Sequence, residues 1–142
     1  MSGESTKQRV LSALEDDAQA SYGDIAEQAG VSKPTVRKYI SELEDEGIIV
    51  GYSADVDPKK LSTTSIALVG IDAESERYVA VTDELRELET VESLYSSSGD
   101  HMLLAEVRGP DGTEVSETIR DHILTIDGVT AAHPCFLQER LK

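Results

Sequence analysis

The chain has 142 residues, of which 39% are hydrophobic and 29% charged, with a formal net charge of −15 at pH 7, and this length buries one core or two small ones. A single cysteine, Cys135, excludes an internal disulfide and a cysteine cluster for zinc. Because no apolar run approaches the ~20 residues that span a bilayer and the N-terminus lacks the apolar core of a signal peptide, we expect a cytoplasmic protein with no membrane partner.

Two helices are predicted before residue 31. Ser5 or Thr6 begins the first, whose apolar residues share one face down to Leu14. The second repeats small and apolar residues at helical spacing from Ile25 onward. Gly30 follows it, at a place where a helix ends in the left-handed conformation that glycine adopts at low cost.

A third helix is predicted to lie against a nucleic-acid duplex. The hydroxyl of Ser32 accepts from the free amides of its first turn, and Pro34 falls in that turn, where its missing N–H costs nothing. An apolar stripe of Val36, Ile40 and Leu43 faces the other helices. The opposite face is basic and polar at its N-terminal end. The predicted contacts with DNA bases and phosphates are Ser32, Lys33, Thr35, Arg37, Lys38 and Ser41.

No acidic residue occurs between Glu27 and Glu42, although the chain holds 28 of them. This acid-free window, residues 28–41, predicts a helix-turn-helix whose second helix enters the major groove. An ordinary helical hairpin with a solvated basic face is the structural alternative.

The overall negative charge opposes DNA binding, which ordinarily depends on Lys and Arg displacing counterions from phosphates. At ~1 M salt the Debye length falls to ~3 Å, so long-range repulsion is screened while direct contacts survive. Few lysines, many acids, one Phe and no Trp therefore suit a halophile. An acidic mesophilic protein without a DNA partner is the alternative.

The remaining chain predicts a second domain. Gly47 ends the third helix, and IIVGYSADVD is an extended segment or a short wing. Residues 1–53 are thus the helix-turn-helix domain, 54–63 the linker and 64–142 the second domain. In this last range, strands are predicted over 64–73, 91–98, 101–109 and 129–141, and helices over 76–88 and 112–128. The order βαββαβ predicts a ferredoxin-like domain and an α+β protein with a winged helix-turn-helix at its N-terminus.

Both faces of the first predicted strand are apolar. Ile66 and Leu68 point one way, whereas Ala67, Val69 and Ile71 point the other. Two helices cover only one face of a four-stranded sheet. An identical sheet from a second subunit is the simplest partner for the other face, and a dimer also suits a helix-turn-helix that engages two half-sites.

With these pieces in place, the chain resembles the feast/famine (Lrp/AsnC) family of prokaryotic transcription regulators over nearly its whole length. The resemblance lies in VSKPTVRKYISELEDEGII, in VGYSADVDPKKL directly after it, and in the Ser98-Gly99-Asp100 turn. It implies a homodimer with back-to-back sheets that assembles into tetramers or octamers and binds promoter DNA. It also implies an amino acid or related small metabolite as effector, and no cofactor. Together with the acidic composition, it leads us to expect a halophilic archaeon as the source.

The resemblance places the effector near Gly99 and Asp100, with His101 and His133 beside them. Asp100 would accept from an α-ammonium group, and amides beside Gly99 would approach a carboxylate. A plain hairpin turn is the alternative, since it favours the same residues. Two departures remove polar groups from this pocket. Where family members often have an aromatic residue and a second acid after the turn, this chain continues with His101 and the residue after it. On the last strand, this chain has His133 and Pro134 where relatives can place hydroxyls. Pro134 also predicts a sheet edge or a bulge.

No catalytic or metal site is predicted. Ser96 to Ser98, Asp100 and His101 are neighbours in a turn, and neighbours do not orient one another as a nucleophile and base must. His101, His122 and His133 lack metal-ligand spacing along the chain.

Two other functions compete with regulation. One is an enzyme resembling the siroheme decarboxylases, in which His101 or His133 serves a tetrapyrrole. The other is an architectural protein that binds DNA without an effector. The basic window argues against the enzyme, which would have no use for it.

Overall fold

The computed structural model of the protein describes residues 5–142, so the first four residues of the predicted DNA-binding domain lie outside it. The chain divides into two compact units, the first ending at Ala54 and the second beginning at Asp55. Across the described residues, no helix has the length and apolarity needed to cross a bilayer.

Three helices build the first unit: α1 (Thr6–Asp16), α2 (Tyr22–Ala29) and α3 (Lys33–Asp45). Ser5 begins α1 through a reciprocal capping box with Gln8. Gly30 ends α2 with a left-handed backbone, at φ 72°. The hydroxyl of Ser32 accepts the N–H of Thr35 at 3.3 Å and so begins α3. The predicted helix starts and the glycine stop are confirmed.

The apolar stripes of the three helices meet in one core. Val10, Ile25 and Val36, one from each helix, are fully buried in it. After α3 ends, the described chain has no strand before Ser65. Residues 48–57 contain neither helix nor strand, and the N–H groups of Ile48 and Ile49 both donate to the carbonyl of Leu43 at the end of α3.

A four-stranded antiparallel sheet and two helices build the second unit. The strands are β1 (Ser65–Ala73), β2 (Val91–Ser96), β3 (Leu103–Gly109) and β4 (Val129–Phe136), and the helices are α4 (Tyr78–Arg86) and α5 (Gly112–Thr118). The strands lie in the order β2-β3-β1-β4, so β1 is central and β4 is an edge. The predicted βαββαβ order is confirmed, and Pro134 lies on an edge strand as expected.

One face of this sheet is covered by helices and the other is not. Val69 and Ile71 of β1 are fully buried in a core that includes Leu85 of α4. On the opposite face Ile66 is buried, but Leu68 and Leu104 of neighbouring strands remain 44% and 42% exposed. We call this second side the open face; it also carries Gly70, Asp72, Tyr95 and His133.

The structure shortens two predicted elements. The helix expected over 112–128 is α-helical only to Thr118 and continues as one π-helical turn, Ile119–Ile123. In this turn the N–H of Leu124 donates to the carbonyl of Ile119 at 2.8 Å. The last strand ends at Phe136, well before residue 141. The last ladder pair is Phe136 with Ala67, and one further hydrogen bond, from the N–H of Leu137 to the carbonyl of Ile66 at 2.9 Å, follows it.

Truncating the α4 side chain in the second core tests this packing. Leu85→Ala should lower the free energy of unfolding by about 2–5 kcal/mol, because the buried cavity it leaves is not refilled. Val79→Ala on the same helix is the matched control, since Val79 is 71% exposed, and it should change stability by about 0.5 kcal/mol or less. Denaturant titration in concentrated KCl, followed by circular dichroism, measures both. Equal losses from the two variants would contradict the core assignment.

Candidate nucleic-acid interface

The outer face of α3 carries the predicted DNA contacts. Lys33, Arg37 and Lys38 are exposed, while Val36 and Ile40 on the same helix are buried in the core of the first unit. Helical periodicity separates these two sets, because residues three and four apart share a side. The basic residues therefore form one exposed surface at the N-terminal half of α3, which we call the basic ridge: Lys33, Arg37 and Lys38.

Within the part of the chain that the structure describes, no ion pair neutralises the cations of the basic ridge. Among residues 5–142, no carboxylate oxygen lies within 4.0 Å of the side-chain nitrogens of these three residues. Lys7 of α1 differs, since its ammonium lies 2.9 Å from Glu46 and 3.2 Å from Glu42. The hydrogen bond with Glu46 is the main cause of the raised pKa of Lys7. The acid-free window thus leaves the ridge charges for an external anion.

Tyr22 supports Arg37 from the neighbouring helix. The guanidinium carbon of Arg37 lies 5.5 Å from the centre of the Tyr22 ring, which is within the range of a cation–π contact. Tyr22 is the first residue of α2 and remains 40% exposed. The sequence does not reveal this role of Tyr22, because the contact depends on how α2 crosses α3 and not on spacing along one helix.

Ser32 and Thr35 hold the start of α3. Their hydroxyl oxygens lie 2.9 Å apart, and the Ser32 oxygen also accepts the Thr35 N–H. Ser41 is exposed farther along the helix. The hydroxyls of Ser32 and Thr35 already have partners, so their first role is to fix the turn from which Lys33 and Arg37 project. Direct contact of these three hydroxyls with DNA stays a prediction.

The turn between β2 and β3 does not form a catalytic triad. The hydroxyl of Ser97 donates to the backbone carbonyl of His101 at 2.6 Å, and not to its imidazole. Gly99, at φ 119°, and Asp100 are exposed at the tip. A cleft of about 480 Å³ lies beside this region, lined by α4, β2 and Leu103. None of the four predicted effector residues lines that cleft.

His101, His133 and Asp72 meet on the open face. The Nδ1 atom of His101 lies 3.1 Å from Oδ2 of Asp72, and the two imidazole centres are 5.0 Å apart. The hydrogen bond with His101 lowers the pKa of Asp72, an effect that partial burial opposes and the N–H of Met102 reinforces. The spacing of the histidines along the chain does not reveal this cluster, because sheet pairing brings together residues that are distant in sequence.

Comparison with known proteins identifies the family. Residues 4–50 match a family model described as winged helix-turn-helix DNA-binding, and residues 66–142 match the Lrp/AsnC ligand binding domain. The chain belongs to the Lrp/AsnC family of DNA-binding transcription regulators. It is 69% identical over 142 residues to the HTH-type transcriptional regulator LrpA1 of Halobacterium salinarum, with 100% of both chains covered. This relative agrees with the halophilic source that the acid excess indicates.

More distant members of the Lrp/AsnC family give the same result. The HTH-type transcriptional regulator LrpA of Pyrococcus abyssi is 40% identical over 133 residues, covering 94% of each chain. The fold resembles the crystal structure of the leucine response regulatory protein of Mycobacterium tuberculosis, with a TM-score of 0.77 and 22% identity over 99% of this chain and 95% of that one. The predicted family, α+β fold and regulatory function are confirmed.

Removing the Tyr22 ring tests its support of Arg37. Tyr22→Leu should weaken DNA binding by about 0.5–1 kcal/mol, because the guanidinium loses the aromatic face that restricts it. Tyr22→Phe keeps that face and should bind like the parent protein. Fluorescence anisotropy with a labelled promoter fragment in concentrated KCl measures both. The contact has no role in binding if the Leu and Phe variants have the same affinity.

Proposed function

We propose that the protein regulates transcription as a homo-oligomer that inserts the N-terminal half of α3 into the major groove of promoter DNA. The observation that carries this proposal is the basic ridge, three exposed cations that have no acidic partner among residues 5–142, in a protein of net charge −15. Such a surface attracts an anionic partner such as DNA at close range, even on an acidic protein.

The position of each ridge residue suggests its contact. Arg37 lies one turn into α3, where its planar guanidinium suits a bidentate contact with a guanine edge. Lys33 lies at the first position of the helix and Lys38 beside Arg37, where flexible ammonium groups suit phosphates. Sequence would then be recognised mainly by Arg37, and orientation on the duplex would be set by the lysines.

The open face supports assembly of two chains. Leu68 and Leu104 lie diagonally across the ladder of the two inner strands. Tyr95 on β2 pairs with Leu104 and extends the same surface, with 64% of its area exposed. A second copy that covers this face would bury these side chains and place two first units on one particle. Tetramers or octamers built from such dimers belong to the same proposal.

The second unit is proposed to take a small effector, an amino acid or a related metabolite. The match of residues 66–142 to a ligand binding domain supports this role. Asp100 and the amides around Gly99 are exposed and offer an acceptor and donors. His101 lies within hydrogen-bond distance of Asp72 and near His133. The two histidines would therefore border the effector site. An effector would act by shifting the population of assemblies that present α3 at different spacings.

Regulation is preferred to catalysis for this chain. The relatives described above carry the names of regulators, and the ridge gives an enzyme no advantage. An architectural protein would differ from a regulator in two properties, since it would bind unrelated DNA fragments equally well and would respond to no effector.

Substitution on the ridge tests DNA recognition. Arg37→Ala should cost about 1–3 kcal/mol with a promoter fragment recovered from a genome-wide map of bound sites, and preference should relax at one base pair. Arg86→Ala is the control, because Arg86 is also an exposed helical arginine but lies on α4 of the second unit. Gel-shift titrations of matched and mutated fragments in concentrated KCl measure affinity and preference. Unchanged binding by Arg37→Ala would refute the assignment, and equal binding of all fragments by the parent protein would favour the architectural role.

Substitution on the open face tests assembly. Leu68→Glu should weaken self-association by about 10-fold or more, because a carboxylate would have to be buried without a partner. Val79→Glu adds the same charge to the helical side and should leave the mass unchanged. Analytical ultracentrifugation across a concentration series in KCl measures the species. A Leu68→Glu protein with the parent's dissociation constant would show that this face is not the interface.

A further inference from the structure

Three potential metal ligands from separate parts of the second unit converge on the open face. Asp72 lies near the end of β1, His101 precedes β3 and His133 lies on β4. One ligand atom from each residue lies within 4.8 Å of the other two. We propose that Asp72, His101 and His133 form a binding site for a divalent first-row transition-metal ion, with Zn²⁺ as the reference ion.

Strand register holds two of these ligands on one side of the sheet. Gly70 and Asp72 are two residues apart on β1, so their positions share a face. His133 pairs with Gly70 across the β1–β4 ladder and therefore lies on that face as well. Neither ligand depends on a flexible tip for its position, because both belong to hydrogen-bonded strands.

Gly70 makes room for the third ligand. A Cβ atom at this position would overlap the His101 imidazole, so the ring occupies the space that any other residue would fill. The backbone carbonyl of His101 is also held by the Ser97 hydroxyl at 2.6 Å. The imidazole is thus seated above the central strand and lies between Asp72 and His133.

The distances are close to those of a coordination sphere. Around a tetrahedral ion with bonds of about 2.1 Å, the ligand atoms lie about 3.4 Å apart. His101 Nδ1 and Asp72 Oδ2 are already 3.1 Å apart. The widest separation between two ligand atoms of the cluster is at most 4.8 Å, so these atoms need to approach each other by about 1.4 Å to bind one ion. Rotation of the His133 side chain, which is exposed in the single chain, supplies this movement.

The carboxylate of Asp72 is oriented from its other oxygen. The N–H of Met102 donates to Oδ1 at 3.2 Å, which leaves Oδ2 directed to His101. Backbone hydrogen bonds of this kind commonly fix carboxylate ligands of metal ions. The hydrogen bonds of the chain itself therefore define both the donor set and its orientation.

The donor types determine the class of ion. Two imidazoles and one carboxylate suit Zn²⁺, Co²⁺ or Ni²⁺, whereas Mg²⁺ and Ca²⁺ prefer oxygen ligands alone. The many carboxylates elsewhere on the chain attract hard cations. Excess Mg²⁺ occupies these carboxylates, so the Co²⁺ binding that remains reports this site. Three protein ligands leave a coordination position for water or another ligand.

Cobalt provides the direct measurement. The full-length chain in concentrated KCl with excess Mg²⁺ is titrated with Co²⁺, and the visible absorption of the bound ion is followed. We expect saturation at one ion per chain, and loss of the band when Zn²⁺ is added. The readout does not involve DNA, so this result and the result for the proposed function are obtained separately.

Variants assign the site. His133→Gln should weaken Co²⁺ binding by at least about 10-fold, since removing even an outer partner of a ligand costs 10–100-fold. His122→Gln is the matched control, because His122 is exposed on the π-helical turn and lies outside the cluster. Asp72→Asn should weaken Co²⁺ binding by as much as His133→Gln does. Gly70→Ala should also weaken binding, through displacement of His101 and without removing a ligand.

Circular dichroism and the midpoint of denaturant unfolding show whether each variant is folded. His133→Gln is the decisive variant, since His133 lies on an edge strand and is exposed in the single chain, so its replacement costs the fold of that chain little. The proposal is overturned if the parent protein gives no saturable cobalt band, if folded His133→Gln binds as tightly as the parent, or if His122→Gln loses binding equally.

Discussion

Binding of an acidic protein to an acidic polymer depends on the few cations that its own carboxylates do not neutralise. This chain has 13 basic and 28 acidic residues, so most of its basic groups have acids close by. Lys7, for example, lies between Glu42 and Glu46. Lys33, Arg37 and Lys38 are exceptions because the acid-free window surrounds them. At ~1 M salt only contacts within a few ångströms retain their strength, so the local geometry of α3 matters more than the overall charge.

The fold serves that geometry in two ways. In the first unit, the Ser32 cap and the buried stripe beginning at Val36 fix which side of α3 is exposed, and Tyr22 restricts Arg37. In the second unit, two helices cover one side of the sheet and leave the other available. That open face carries apolar side chains suited to a second copy, together with the His101 cluster above Gly70. One uncovered surface thus combines the features that we propose for assembly and for ligand binding.

Local signals in the sequence predicted the elements well. Ser32, Pro34 and Gly30 act within a few residues of themselves, so they set helix ends wherever the helices lie. The π-helical turn after Thr118 was not predicted, because the same apolar spacing of Ile119 and Ile123 fits a regular helix. The basic ridge lies on a single helix, so helical periodicity alone predicts it. The contacts of Tyr22 and of Gly70 could not, since helix crossing and strand register bring together residues that are distant in the chain.

The most direct test of the account is the salt dependence of DNA affinity. The logarithm of the association constant for a bound promoter fragment is measured against the logarithm of the KCl concentration. Three ridge cations on each of two α3 helices, at 0.9 per phosphate contact, predict a linear fall with a slope of about −5. The slope is shallower if Arg37 contacts a base instead of a phosphate. A protein that binds the fragment with no measurable slope, or does not bind it at all, would contradict the claim that the basic ridge holds DNA.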